Sequence, residues 1–484
     1  MDLRTAAFAT LAASALCADA AAAADLLEVY ELATTRDPQF LEAAELRTAA
    51  LEARPQARGA LLPQIFAGGE IETRETDGSG TFQQLLDANP GPGLDPQIGI
   101  FEVDQRVSAD TWRAQAGLRQ TVFRWDQWQR LGRADAVVAR AEASYRAAEQ
   151  DLMQRVSQRY FDVLAAAETL RASEATLEAF TQQLVQAERR FRAGVVTVID
   201  VEEARSARDA AAANTIAAKR SLAVAGELLT ELTGELHPEL ERPGDELPVA
   251  DTERRGEQAW VDMAVEQNLG VVVARFGVDI AGRDVRIARS GHLPTLDLYA
   301  TAGAFDESAT ETLTNRPANL STRGPADSDG TEYVVGLQLV VPIFTGGVTS
   351  SRVREQVSLQ RAARQRLDGS LRAAERATRD AYLSVMADEA RVEALRQSVV
   401  SSRSALRATE RGVEVGNRTN VDVLEARRRV FEAERDYARA RYDYLINLVR
   451  LRQAAGTLLP QDLEAINGYL VEPVAVVAPG APRR

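Results

Sequence analysis

The chain has 484 residues, 45% of them hydrophobic but only 6% aromatic, and its 57 Lys and Arg against 71 Asp and Glu leave a formal charge of −14. That acidity excludes the basic stripe of a nucleic-acid binder, and abundant alanine and arginine suit long helices with thin cores. One cysteine (Cys17) and two histidines (His237 and His292) exclude cysteine-based and histidine-rich metal sites. With no Ser-His-Asp arrangement suggested either, no catalytic residue, metal ligand or cofactor is expected.

Residues 1–24 read as a secretory signal. Arg4 precedes the apolar stretch TAAFATLAASALCADAAAAAD, and alanines at A-x-A spacing around Ala22 and Ala24 place the cut near Asp25. Cys17 lies inside it and is preceded by Leu16 rather than Gly or Ala, which favours removal over lipidation. No later segment supplies the ~18 apolar residues of a spanning helix. The mature chain is therefore either soluble outside the cytoplasm or crosses a membrane as β-strands.

The rest reads as one unit made twice, 25–245 and 246–465, with a C-terminal tail over 466–484. FRAGVVTVIDVEEA returns 222 residues later as GVEVGNRTNVDVLEA, with Gly194 on Gly416, Thr197 on Thr419, Asp200 on Asp422 and Glu203 on Glu425. Several further matches in order at nearly constant spacing mark a duplication. Each half begins with a helical segment (26–60 and 257–290), in which Pro55 should bend the first copy. Two strands follow, 64–76 and 112–123 in the first half, 295–308 and 331–344 in the second, separated by polar loops over 77–110 and 309–330. Long helical stretches (126–193 and 349–412) then reach the glycine turns, and return helices run through 198–233 and 420–455. Apolar residues recurring at threes and fours, such as Leu152, Val156, Tyr160 and Val163, predict two antiparallel coiled-coil hairpins, 126–233 and 349–455.

The strands are recognised by period-two alternation: Ile65, Ala67, Gly69 and Ile71 share one face, as do Tyr333, Val335, Leu337 and Leu339. Each is long enough to span a bilayer when tilted, where every backbone group must be paired and the sheet must close. Four strands do not close a membrane barrel alone. Several chains must each contribute four, which by count allows a dimer of eight or a trimer of twelve. Trp125 and Trp128 stand beside the strand-to-helix junction, as interfacial anchors or as packing.

ELATTRDPQF, ALLPQ, SGHLPTLDL, VGLQLVVPIFTGGVTSSRV, VGNRTNVDVLEA and ARYDYLINLVRL follow one another in an order and spacing that resemble the TolC family of outer-membrane efflux proteins. The resemblance covers essentially the whole mature sequence. It implies a mainly α chain with a membrane β-barrel: a homotrimer closing twelve strands in the outer membrane, continued by an α-helical periplasmic tunnel. The implied function is a passive exit duct for a tripartite efflux pump or type I secretion system, docked to a periplasmic adaptor (membrane fusion protein) and an inner-membrane transporter. In that family the coiled-coil tips, here turning at Gly194 and Gly416, pinch the tunnel shut. Asp422 and Glu425 match the constriction, three residues apart on one helix face, and would stack as two rings of three carboxylates that attract cations. Arg418 and Asp200 match positions that link neighbouring coils in the closed state. Val413 stands where the family often has tyrosine, and Ile199 where it often has threonine. The alternative from another class is a soluble or lipid-anchored periplasmic coiled-coil scaffold or adaptor.

Overall fold

The computed structural model describes residues 23–85, 98–244, 252–315, 320–415 and 417–476. Cys17, nearly all of the signal segment and Gly416 lie outside the described residues. The elements run α1 (Leu26–Arg36), α2 (Pro38–Leu51), α3 (Ala53–Gly59), β1 (Gln64–Leu85), β2 (Ile98–Phe123), α4 (Trp125–Arg192), α5 (Val198–Thr233) and β3 (Glu239–Pro243). They continue with α6 (Thr252–Gln267), α7 (Leu269–Ser290), β4 (Thr295–Asn315), β5 (Leu320–Pro325), β6 (Ser328–Val340), α8 (Val348–Glu414), α9 (Asn420–Ala455), α10 (Pro460–Asn467) and β7 (Leu470–Ala475). Two compact units divide the chain, 1–50 with 139–277 and 364–484, and 51–138 with 278–363. Each unit draws residues from both sequence halves.

The second of these units holds the larger sheet. β1 pairs antiparallel with β2, β2 with β4, and β4 with both β5 and β6. Ile65, Ala67, Gly69 and Ile71 stand opposite Leu118, Ala116, Ala114 and Trp112, and Leu118, Ala116 and Ala114 opposite Ala300, Ala302 and Ala304. Ala300 and Ala302 in turn face Val335 and Tyr333. One face is thus an unbroken apolar band across four strands, and it is bare: Ile71 is 88% exposed and Tyr333 79%. The other face carries Glu70, Arg113, Gln115, Arg119, Glu332 and Gln338, the polar partner of a sheet whose side chains alternate.

The strands outrun the sequence reading. Residues 77–85 and 98–110, expected as loop, pair with one another in β1 and β2 as far as Leu85 opposite Ile98. Polar, glycine-rich sequence such as DGSG reads as a turn, yet backbone pairing continues without alternating apolar residues. Likewise 309–330 is largely strand: β4 continues to Asn315, and β5 and β6 form its return partner, interrupted where the Ala309 N–H donates to Asp327 Oδ1 at 3.1 Å. At the other end β6 stops at Val340, short of the expected residue 344, just before Pro342, which lacks the N–H a ladder needs. Trp125 and Trp128 are 43% and 54% exposed.

Asp297 closes the base of this sheet. Its carboxylate accepts from Arg119 Nη2 at 2.9 Å and from Arg124 Nη2 at 2.7 Å, joining β4 to the end of β2 and to the residue before α4. The side chain is 5% exposed, and the β2–β4 register shifts between Thr121 and Phe123 beside it.

The first unit is a helical layer closed by a small sheet. Leu26, Val29 and Ala33 of α1 pack with Leu152, Val156, Tyr160 and Leu164 of α4, Leu229 of α5, and Leu445 and Val449 of α9. Phe161 stacks on Tyr442 with ring centroids 5.8 Å apart. The helical segment 26–60 is broken twice, at Asp37 and at Glu52, just ahead of Pro55. Asp37 caps α2, accepting from the Phe40 N–H at 2.9 Å, and also pairs with Arg155 Nη2 of α4 at 2.8 Å. Pro38 at the first helical position gives up no needed donor. Residues 466–484, expected only as a tail, supply β7, which pairs antiparallel with β3. Ala24 joins them: its N–H donates to the Glu239 carbonyl at 3.0 Å, and its own carbonyl accepts from the Glu241 N–H at 3.2 Å.

Candidate gate at the coiled-coil tips

Two hairpins, α4 with α5 and α8 with α9, whose tips belong to the first unit, carry the predicted site residues. The partners are tied along their lengths: Thr215 Oγ1 donates to the Ser173 carbonyl, Lys219 pairs with Glu174, Arg403 with Glu434 at 2.7 Å, and Arg427 with Glu410 at 3.1 Å.

Both return helices start alike. Thr197 is the N-cap of α5, and its Oγ1 and N–H both donate to Asp200 Oδ2 at 2.7 Å. Thr419 repeats this at α9, with its N–H 2.7 Å and its Oγ1 2.8 Å from Asp422 Oδ2. An aspartate at the third helical position also faces the positive end of the helix dipole. The Thr197 hydroxyl and N–H hold the Asp200 carboxyl below the usual carboxylate range. The Thr419 N–H and hydroxyl do the same for Asp422, with the Arg418 charge adding to it.

The two carboxylates expected to act together have different surroundings. Among the described residues Asp422 engages its own cap and the field of Arg418. Glu425 is half-exposed and accepts from Arg428 Nη2 at 2.9 Å, while Arg428 Nη1 reaches Glu432 at 3.1 Å. Arg428 was not singled out by the sequence reading, although an acid three residues before and another four residues after it is a helix-pairing signal.

The two tips share a returning backbone hydrogen bond as well. Gly194 sits at φ 73°, a left-handed conformation that glycine adopts without steric cost, while the Val195 N–H returns to the Arg190 carbonyl at 2.9 Å. In the second tip the N–H groups of Asn417 and Arg418 return to the Gly412 carbonyl at 2.8 and 3.0 Å. Arg418, Asp200 and Ile199 are exposed, and Val413 is half-buried. Among the described residues no ion pair joins Arg418 to Asp200 within one chain.

Comparison with known proteins bears on the whole chain. The family model described as outer membrane efflux protein matches residues 29–235 and 260–457, one stretch in each half. The chain is 32% identical over 448 residues to outer membrane protein TolC of Vibrio cholerae, covering 93% of this chain and 94% of that one. The chain belongs to the outer membrane efflux protein family. It is accordingly an outer-membrane exit channel for efflux or secretion, whose helical part is a periplasmic tunnel. Efflux-family relatives named as outer-membrane and secretion proteins indicate a role without catalysis at the family level. One of them, alkaline protease secretion protein AprF of Pseudomonas aeruginosa, is 28% identical over 449 residues, covering 92% of this chain and 87% of that one. The fold is shared with the Campylobacter jejuni CmeC outer membrane channel at a TM-score of 0.68 and 16% identity, over 92% of this chain and 90% of that one.

Proposed function

We propose that three copies of the chain close a twelve-stranded barrel and a continuous tunnel, which the coiled-coil tips hold shut until a periplasmic adaptor engages them. One observation carries this reading: an apolar-faced sheet of four strand positions with open edges. Among the described residues β1 is paired only to β2, and β6 only to β4. Unpaired edges are untenable in hydrocarbon, so each must meet the edge of another chain, and a head-to-tail contact repeated around an axis closes a ring. An inner-membrane transporter reached through the adaptor supplies the energy, and the duct itself is passive. Small-molecule efflux and type I secretion both suit such a duct: the matching family model is described by efflux, and the relative AprF by alkaline protease secretion.

In this reading Arg418 of one copy meets Asp200 of the next. The links are exposed and individually weak, which suits a gate that an adaptor must break. Asp422 and Glu425 form the acidic constriction, with Asp422 the fuller charge because Arg428 offsets Glu425. The tip turn at Gly194 holds the first pair of helices in place.

Planar-bilayer recording of the purified protein tests the gate and the constriction separately. Arg418→Ala and Asp200→Ala each raise conductance; unchanged conductance in both removes the gate. Asp422→Asn with Glu425→Gln moves the reversal potential toward lower cation preference, and an unmoved potential removes the acidic constriction.

A further inference from the structure

Gly412 has no backbone reason to be glycine. It lies within α8, outside the left-handed region, and its carbonyl accepts the turn's returning amides. At the same point of the first tip the chain places Arg190, 222 residues earlier, whose carbonyl accepts the Val195 N–H in the same way. The turn therefore tolerates a full side chain. Glycine is also a poor residue for a helix interior, so its presence needs another cause.

The cause on view is Arg418. A Cβ on Gly412 would lie 2.7 Å from Arg418 Cγ and 3.2 Å from Arg418 Cβ. These are the root of the arginine side chain, not its mobile end, so they cannot swing aside without changing its χ1 or its backbone. The first tip has Val196 where the second has Arg418, and there Arg190 meets no such requirement. Space at residue 412 and a long cation at residue 418 thus occur together in the second tip and are both missing from the first.

We propose that Gly412 is a positioning residue for the gate: the bare helix surface at 412 seats the stem of Arg418 and fixes the direction in which its guanidinium leaves the tip. The inference rests on the gating role proposed for Arg418. It makes the gate's strength depend on a residue that carries no charge and forms no link itself. Adding one methyl group there weakens the gate without removing any hydrogen-bonding group.

The test is conductance of the full-length protein in planar bilayers, with thermal unfolding measured on the same samples. Gly412→Ala raises conductance severalfold toward the Arg418→Ala level, while its unfolding temperature stays at or above wild type because alanine favours the helix. Gly412→Ser, bearing the same Cβ, reproduces the increase. The double variant Gly412→Ala/Arg418→Ala conducts no more than Arg418→Ala alone, and Arg190→Gly in the first tip leaves conductance unchanged. Wild-type conductance in both Gly412 variants beside an open Arg418→Ala overturns the positioning role and leaves the gate standing. Additive effects in the double variant also overturn it, since Gly412 would then act through the turn. An unchanged Arg418→Ala overturns the gate and this inference together.

Discussion

Asp37 offers a quantitative test of how the helical unit is held. Its carboxylate does two things at once: it caps α2 through the Phe40 N–H at 2.9 Å and pairs with Arg155, with Nη2 at 2.8 Å and Nη1 at 3.2 Å. The side chain is only 4% exposed, and that of Arg155 is 22% exposed. Losing a helix cap costs about 1 kcal/mol, and removing one partner of a buried pair costs about 3–5 kcal/mol. Arg155 keeps Asp151 at 2.8 Å, so its charge is not left alone. The two losses also share one carboxylate and do not simply add. Asp37→Ala therefore destabilises the unit by about 3 kcal/mol, at the low end for a broken buried pair. Asparagine caps as well as aspartate, so Asp37→Asn loses the charge alone, about 2 kcal/mol. Chemical denaturation in detergent, at one fixed protein concentration because assembly adds apparent stability, reads the series. The expected order is wild type, Asn, Ala. An alanine variant indistinguishable from wild type, or an asparagine variant as damaged as alanine, refutes the assignment.

Three further outcomes follow from the structure. Ala24 is hydrogen-bonded beside β3, so a mature chain that retains it, cut just upstream of the site near Asp25 read from the sequence, is the expected outcome; an intact mass beginning at Asp25 contradicts this. The caps at Thr197 and Thr419 depress the pKa values of Asp200 and Asp422 below those of the unfolded chain. Their contribution is present above the ordinary carboxylate range and is lost only as pH falls through the lowered folded values. Pepsin should accordingly leave the tips intact near pH ~4 and cut them only in stronger acid, given an ordinary aspartate pKa of ~3.9; tip cleavage already rising above that range refutes the caps. Finally, Arg428→Ala frees Glu425 and shifts the reversal potential toward greater cation preference, opposite to Glu425→Gln, and a shift in the same direction for both refutes the pairing.

Much of the fold is legible because local chemistry repeats. Thr197 with Asp200 and Thr419 with Asp422 announce helix starts, and Gly234 and Gly456, both left-handed C-caps, announce the ends. The apolar alternation at 65–71 and 333–339 marks the apolar face of the sheet. What escapes the sequence is pairing between segments far apart. The strand ends at 77–85 and 98–110 are polar and are ordered by each other's backbones, and β7 exists only because β3 lies opposite it. At the tip, the spacing of Asp422 and Glu425 is visible, but the partition of charge is not, because Arg428 selects Glu425 by geometry. Gly412 escapes for the same reason: its role depends on where the Arg418 stem lies.

The proposed duct requires its sheet to be completed by other copies of the chain. Native mass spectrometry of the protein released from detergent micelles counts those copies directly. Three chains per particle, twelve strand positions in all, is the predicted result. A monomer or a dimer retaining channel activity would contradict it.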